Sequence, residues 1–450
     1  MAGHSIEKLS PELLYLILES LASPQDLLAL ILSSKTFHTL FSQSRERIVS
    51  QVLCNSYGDN LQQALGAFYA STIHDSNDDT WTSEQRREVE ALLTNYHNRH
   101  LELPTNFEDI VEMCHQSALV ERVIGHHSNY ASLFFAEGPE TSSRDSSHCL
   151  DNPIGLQDPP LFLSTVEKGR IRRAFLHFDM YCHLFPLSRF GISPQPFDAT
   201  GQSELFLSKI SMWEVEELCA AQQFICNILD QIVQTLEDEF VQEVLLLPKL
   251  DAPPDGEFDP SVTDTGNALE LFGLELFTST SPQQRFDILF QVSSQGLRSL
   301  EDIMIGNAAT QRQHILKFWP WRGDFLWQGV RTLLTDSAAR KSVKDHPFEG
   351  EDRLDGFSGG WSFVSNRKLV SNRNSWAPNR GDQAGWGNAA DAGFAFWNYA
   401  RGEALSVSGK AKLPQKERAS AEKRLWGHHV AFSEFRDILE KYSPEDFLPR

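Results

Sequence analysis

The chain has 450 residues, of which 41% are hydrophobic and 22% charged, and its formal net charge is −21. This is the composition of a folded chain longer than one ordinary domain, not of a disordered one. The excess of acid argues against a general binder of nucleic acid or of an anionic membrane, since the summed field repels phosphate.

In chain order, residues 9–41 hold three short helix signals. Ser10 stands at an N-cap position, with Pro11 at the first helical position, where a fixed φ and a missing N–H cost nothing. Leu13, Leu14, Ile17, Leu18 and Leu21 then form one apolar face. Ser23 and Pro24 repeat the punctuation, with Asp26 three residues after the cap, ahead of Leu27, Leu28, Leu30, Ile31 and Leu32. A third piece, 35–41, offers Phe37, Leu40 and Phe41. Helices this short cannot bury their own apolar faces, so the segment is expected to dock on something.

The order Leu9-x-Pro11-Glu12-Leu13-Leu14-x-x-Ile17-Leu18, then Pro24-x-Asp26-Leu27-Leu28, then Ser34-Lys35-x-Phe37, resembles the F-box in the form common in filamentous-fungal F-box proteins. The likeness covers roughly 40 residues at the amino terminus. It differs at one place: the family usually has proline directly after the first leucine, and this chain has Ser10. The resemblance implies docking on the adaptor Skp1. It nominates Leu9, Pro11, Leu14, Ile17, Leu18, Leu21, Leu27, Leu28 and Leu30 as adaptor-contacting or module-supporting.

Beyond the module the pattern is mostly helical. Helices are expected over 49–70, from Thr82 to about 100, over 107–124, over 161–187 and over 213–247, the last as one helix or two with a kink. Loops are expected over 138–160, 188–201 and 251–266, where Ser, Asp and Pro replace the apolar period. Ser281-Pro282 with Gln284 opens a further helix through 305. The chain has five Ser-Pro pairs, four of them at plausible helix starts, where capping is the simplest explanation.

From 318 onward the character shifts, with eight of the ten tryptophans between Trp319 and Trp426. Residues 361–450 carry 14 Lys and Arg against 10 Asp and Glu, whereas 1–360 carry 26 against 51. Trp361, Trp376, Trp386 and Trp397 are candidate target-binding anchors, because aromatic side chains dominate recognition energetics. The fold class expected is mainly α. The organisation expected is an F-box over 5–48, a helical substrate-receptor domain over 49–335 and a Trp/Gly-rich region over 336–450 packed on it.

Catalytic patterns are sparse. Gly356-x-Ser358-x-Gly360 satisfies the nucleophile-elbow spacing, and Asp382 or Asp391 followed by His428 or His429 would complete a triad order. The polar stretch before Ser358 lacks the buried strand that an elbow needs, so Ser358 is expected to be a turn residue. No catalytic residue, metal site or cofactor is expected: there is no H-E-x-x-H, no paired-cysteine knuckle and no phosphate loop. Scattered cysteines and the lack of a secretory signal point to a cytoplasmic or nuclear protein with reduced thiols.

The function that the resemblance implies is substrate recognition in a Skp1-cullin-F-box ubiquitin ligase, without chemistry of its own and with an unknown target protein. The alternative is a scaffold protein that uses Skp1, or only its own helices, without directing ubiquitin transfer. A serine hydrolase at Ser358 is a remote third.

Overall fold

The computed structural model describes residues 6–73, 81–136, 162–186, 197–246 and 292–307, with isolated positions between 289 and 333 and Phe396. Among these the chain is helical, and no strand occurs. A 3₁₀ turn (Ile6–Lys8) leads into α1 (Pro11–Glu19), α2 (Pro24–Ser33) and α3 (Lys35–Gln43). Then follow α4 (Arg45–Tyr57), α5 (Leu61–Ile73), α6 (Ser83–His97), α7 (Phe107–Ala136) and α8 (Thr165–Leu184). A short turn, Ala199–Gln202, runs into a π turn, Ser203–Leu207, before α9 (Met212–Leu246) and α10 (Gly296–Ile305).

Local chemistry sets most of these boundaries. Ser23 Oγ accepts the Asp26 N–H at 3.0 Å, and Thr82 with Gln85 forms a reciprocal capping box. Ser164 and Glu167 form a second such box at the start of α8. Ser10 departs from expectation: it holds the N-cap position of α1, but its hydroxyl caps no backbone N–H.

Several expected spans are corrected. The helix expected over 49–70 is two helices, because Gly58 adopts φ +53°, which ends α4, and a 3₁₀ turn (Gly58–Asn60) intervenes. The one expected over 107–124 runs twelve residues further, to Ala136. The loop expected over 188–201 gives way to helix at Ala199, where Asp198 caps the Gly201 N–H. The helix expected through 305 is interrupted at 294–295, just before Gly296, which has φ +81°. Residues 138–160 and 251–266 lie outside the described residues.

The bundle is built around α8, which packs against α5, α7, α9 and α10. Ile171, Phe175, Phe178, Met180, Tyr181 and Leu184 on it are fully buried. The first three helices are not a separate bead: α1, α2 and α3 all pack on α4, and α2 reaches α7. Their buried leucines join one core that continues to α9 and α10. From the Trp/Gly-rich region, Phe396 is buried with its ring 5.0 Å from that of His127 on α7, so at this position the region touches the core.

Candidate docking surface

In α1 and α2 the leucines divide into two sets. Leu14 and Leu18, 2% and 0% exposed, point into the core, as do Leu27 and Ile31 of α2. Polar bonds fix the underside as well. The Asn55 side chain on α4 donates to the carbonyls of Glu19 and Leu21 at 2.7 and 3.0 Å, satisfying acceptors that the end of α1 leaves open. Arg47 Nε meets Glu19 at 2.8 Å, and the Tyr15 hydroxyl donates to Gln43 at 3.0 Å. The Ser34 hydroxyl bonds Glu7, which ties the 3₁₀ turn to the junction between α2 and α3.

The second set faces solvent. Leu13 and Leu16 on α1 are exposed, Leu16 by 59%, together with Leu9 and Ile6 just before the helix. On α2, Leu28 and Leu32 are 57% and 74% exposed, one turn apart. On helices anchored in this way these leucines are apolar area that folding leaves uncovered.

The residues nominated from sequence fall on both sides of this division. Leu9, Pro11 and Leu28 are exposed, Ile17, Leu21 and Leu30 are half-buried, and Leu14, Leu18 and Leu27 are buried and support the module from inside. Ile6, Leu13, Leu16 and Leu32 are the exposed residues that the nomination missed. Leu13, expected on one face with Leu14, Ile17, Leu18 and Leu21, is exposed instead, and Leu16 is the leucine which that face left out. Trp361, Trp376, Trp386, Trp397 and Ser358 lie outside the described residues.

The interior of the bundle holds the titratable groups. Arg173 on α8 donates to both carboxylate oxygens of Glu217 at 3.0 and 2.9 Å, with Glu214 at 3.8 Å and the Trp213 ring 4.3 Å away. The Tyr96 hydroxyl and His177 Nε2 share a hydrogen bond of 2.6 Å with both side chains buried. Burial, with Arg173 and His97 nearby, pushes His177 down to about 4, and burial alone pushes His127 down to about 3, so both rings are neutral. Asp179 Oδ1 accepts the Leu297 N–H at 2.8 Å and so caps α10 from another helix. Arg173 with Glu217, Tyr96 with His177 and Asp179 with the α10 backbone are paired within the bundle and shape it, and His127 lies among aromatic rings.

Among the described residues no group of three or more His, Cys, Asp or Glu could hold a metal ion, and no helix is long and apolar enough to cross a membrane. Comparison of the chain with protein-family models, with curated proteins and with solved structures finds no match.

Proposed function

We propose that this chain is the substrate-recognition subunit of a Skp1-cullin-F-box ubiquitin ligase, docking on Skp1 through α1 and α2. The single observation that carries the reading is the outward set Leu9, Leu13, Leu16, Leu28 and Leu32, on the very helices whose sequence resembles the F-box. Their opposite faces are already spent on the core, so the outward leucines await a partner with an apolar groove. In such a complex, which would work in the cytoplasm or nucleus, the chain supplies geometry. Holding a target near the ubiquitin-charged conjugating enzyme raises the effective concentration of its lysines.

The test is co-expression with Skp1, using Leu16→Asp/Leu32→Asp as the docking variant. A stoichiometric complex is expected from the parent chain and none from the variant, with thermal unfolding unchanged because both positions are exposed. Absence of a complex from well-folded parent chain overturns the reading. Leu14 and Leu18 are unsuitable for this purpose, since an aspartate there would break the core. Co-purification of a cullin with the complex separates a ligase subunit from a scaffold that uses Skp1 alone.

A further inference from the structure

Two of the five Ser-Pro pairs lie among the described residues, and both begin a helix: Ser10-Pro11 at α1 and Ser23-Pro24 at α2. Capping accounts for one of them. Ser23 is half-buried and its Oγ is committed to the Asp26 N–H. Ser10 holds the equivalent position with extended backbone, φ −64° and ψ 150°, yet its hydroxyl takes no backbone N–H and it is exposed. The Ser10 side chain lies instead beside Glu12, whose carboxyl it holds below the ordinary range. Ser10 is flanked in sequence by Leu9 and continues into Leu13, both exposed members of the outward leucine set. An exposed hydroxyl that caps no backbone N–H, followed by proline, thus sits beside the outward leucines.

We propose that Ser10 is a phosphorylation site for a proline-directed protein kinase, and that the phosphate releases the partner from the leucine surface; the inference rests on the docking function proposed above. In the transfer, Ser10 Oγ bonds to the γ-phosphorus of ATP held by the kinase. The bond from that phosphorus to the β–γ bridging oxygen breaks, ADP leaves, and the hydroxyl proton passes to the kinase's base. The product carries about −1.5 to −2 charges at pH 7. At the first turn of α1 that charge meets the positive end of the helix, so the helix is kept. At the docking surface the same charge must lose its water beside Leu9 and Leu13, next to the like charge of Glu12, and burial of the leucines is opposed. The effect therefore falls on binding and leaves folding intact.

The experiment uses the full chain, and its affinity for Skp1 is measured first, before any kinase is added. The chain is then treated with a purified proline-directed kinase and ATP, phosphates are mapped by mass spectrometry, and affinity and far-ultraviolet circular dichroism are measured again. The expected result is phosphate on Ser10 and none on Ser23, binding weaker by about tenfold or more, and an unchanged helical spectrum. Ser10→Ala, treated in the same way, is expected to keep full affinity. Absence of phosphate on Ser10, full affinity with phosphate on Ser10, or loss of helix on modification each overturns the proposal. Failure of the untreated chain to bind Skp1 overturns the docking function and the switch together, and it is read in the first arm alone.

Discussion

The first two helices and the central helix Thr165–Leu184 distribute their side chains in opposite ways. On α1 and α2, leucines stand in solvent at positions 13, 16, 28 and 32. On α8, Glu167, Arg170, Arg173, His177 and Asp179 are buried. Apolar groups outside and charged groups inside invert the ordinary pattern twice in one chain, and each inversion has its own physics. Buried charge is tolerated where every group has a partner built into the fold, as Arg173 has Glu217. Exposed leucine is tolerated where the partner comes from outside. In the proposed reading the partner of the exposed leucines comes from outside, whereas the partner of Arg173 is built into the fold.

The largest effect should come from breaking a partnership inside. Glu217→Ala takes the doubly bonded carboxylate away from the buried Arg173, and is expected to lower unfolding free energy by about 3–5 kcal/mol in urea titrations. The proposed docking on Skp1 by the molecules that remain folded should not change.

Acid should act on the interior next. His177 and His127 have folded pKa values of about 4 and about 3, below the ordinary 6.5, so the unfolded chain binds their protons more readily. Their contribution is intact above pH 6.5. It is lost as pH falls, and the loss levels off below about 4 for His177 and about 3 for His127. Within that window each ring contributes a slope of about 1.4 kcal/mol per pH unit. Urea titrations between pH 4.5 and 7 check this, and His127→Phe, which keeps an aromatic ring among Phe175, Phe224 and Phe396, should remove one share of the slope.

The smallest effect sharpens the contrast within the module itself. Ser23→Ala should cost about 1 kcal/mol, the usual value of a lost N-cap, whereas Ser10→Ala should fall within about 0.5 kcal/mol of the parent. Equal losses at the two serines would show that Ser10 does cap in solution.

The helix starts were legible wherever the signal was local. Pro11, Pro24 and the Thr82–Gln85 pair each mark a first turn that forms where expected. Ends were less legible, because packing decides them. The helix expected to end at Ile124 continues instead to Ala136, with His127 seated among the rings of Phe175, Phe224 and Phe396. Which leucines face outward was the hardest to read. In α1 the residues from Leu13 to Leu18 are all apolar or aromatic, so spacing alone offers several faces. The positions of α3 and α4 select Leu14 and Leu18 for the core and leave Leu13 and Leu16 outside. The cap on α10 could not be seen at all, since Asp179 lies 118 residues before the N–H that it accepts.

The two hydrogen bonds from Asn55 to the end of α1 bear on the entropy of recognition. Together with the Arg47–Glu19 pair, they hold the module in one shape before any partner arrives. Association then needs no backbone ordering on this side, and the entropic charge is confined to the rotamers of a few leucines, about 0.5–1.5 kcal/mol for each side chain immobilised. In the proposed complex a surface prepared in this way would bind as a stamp, with its relief already cut.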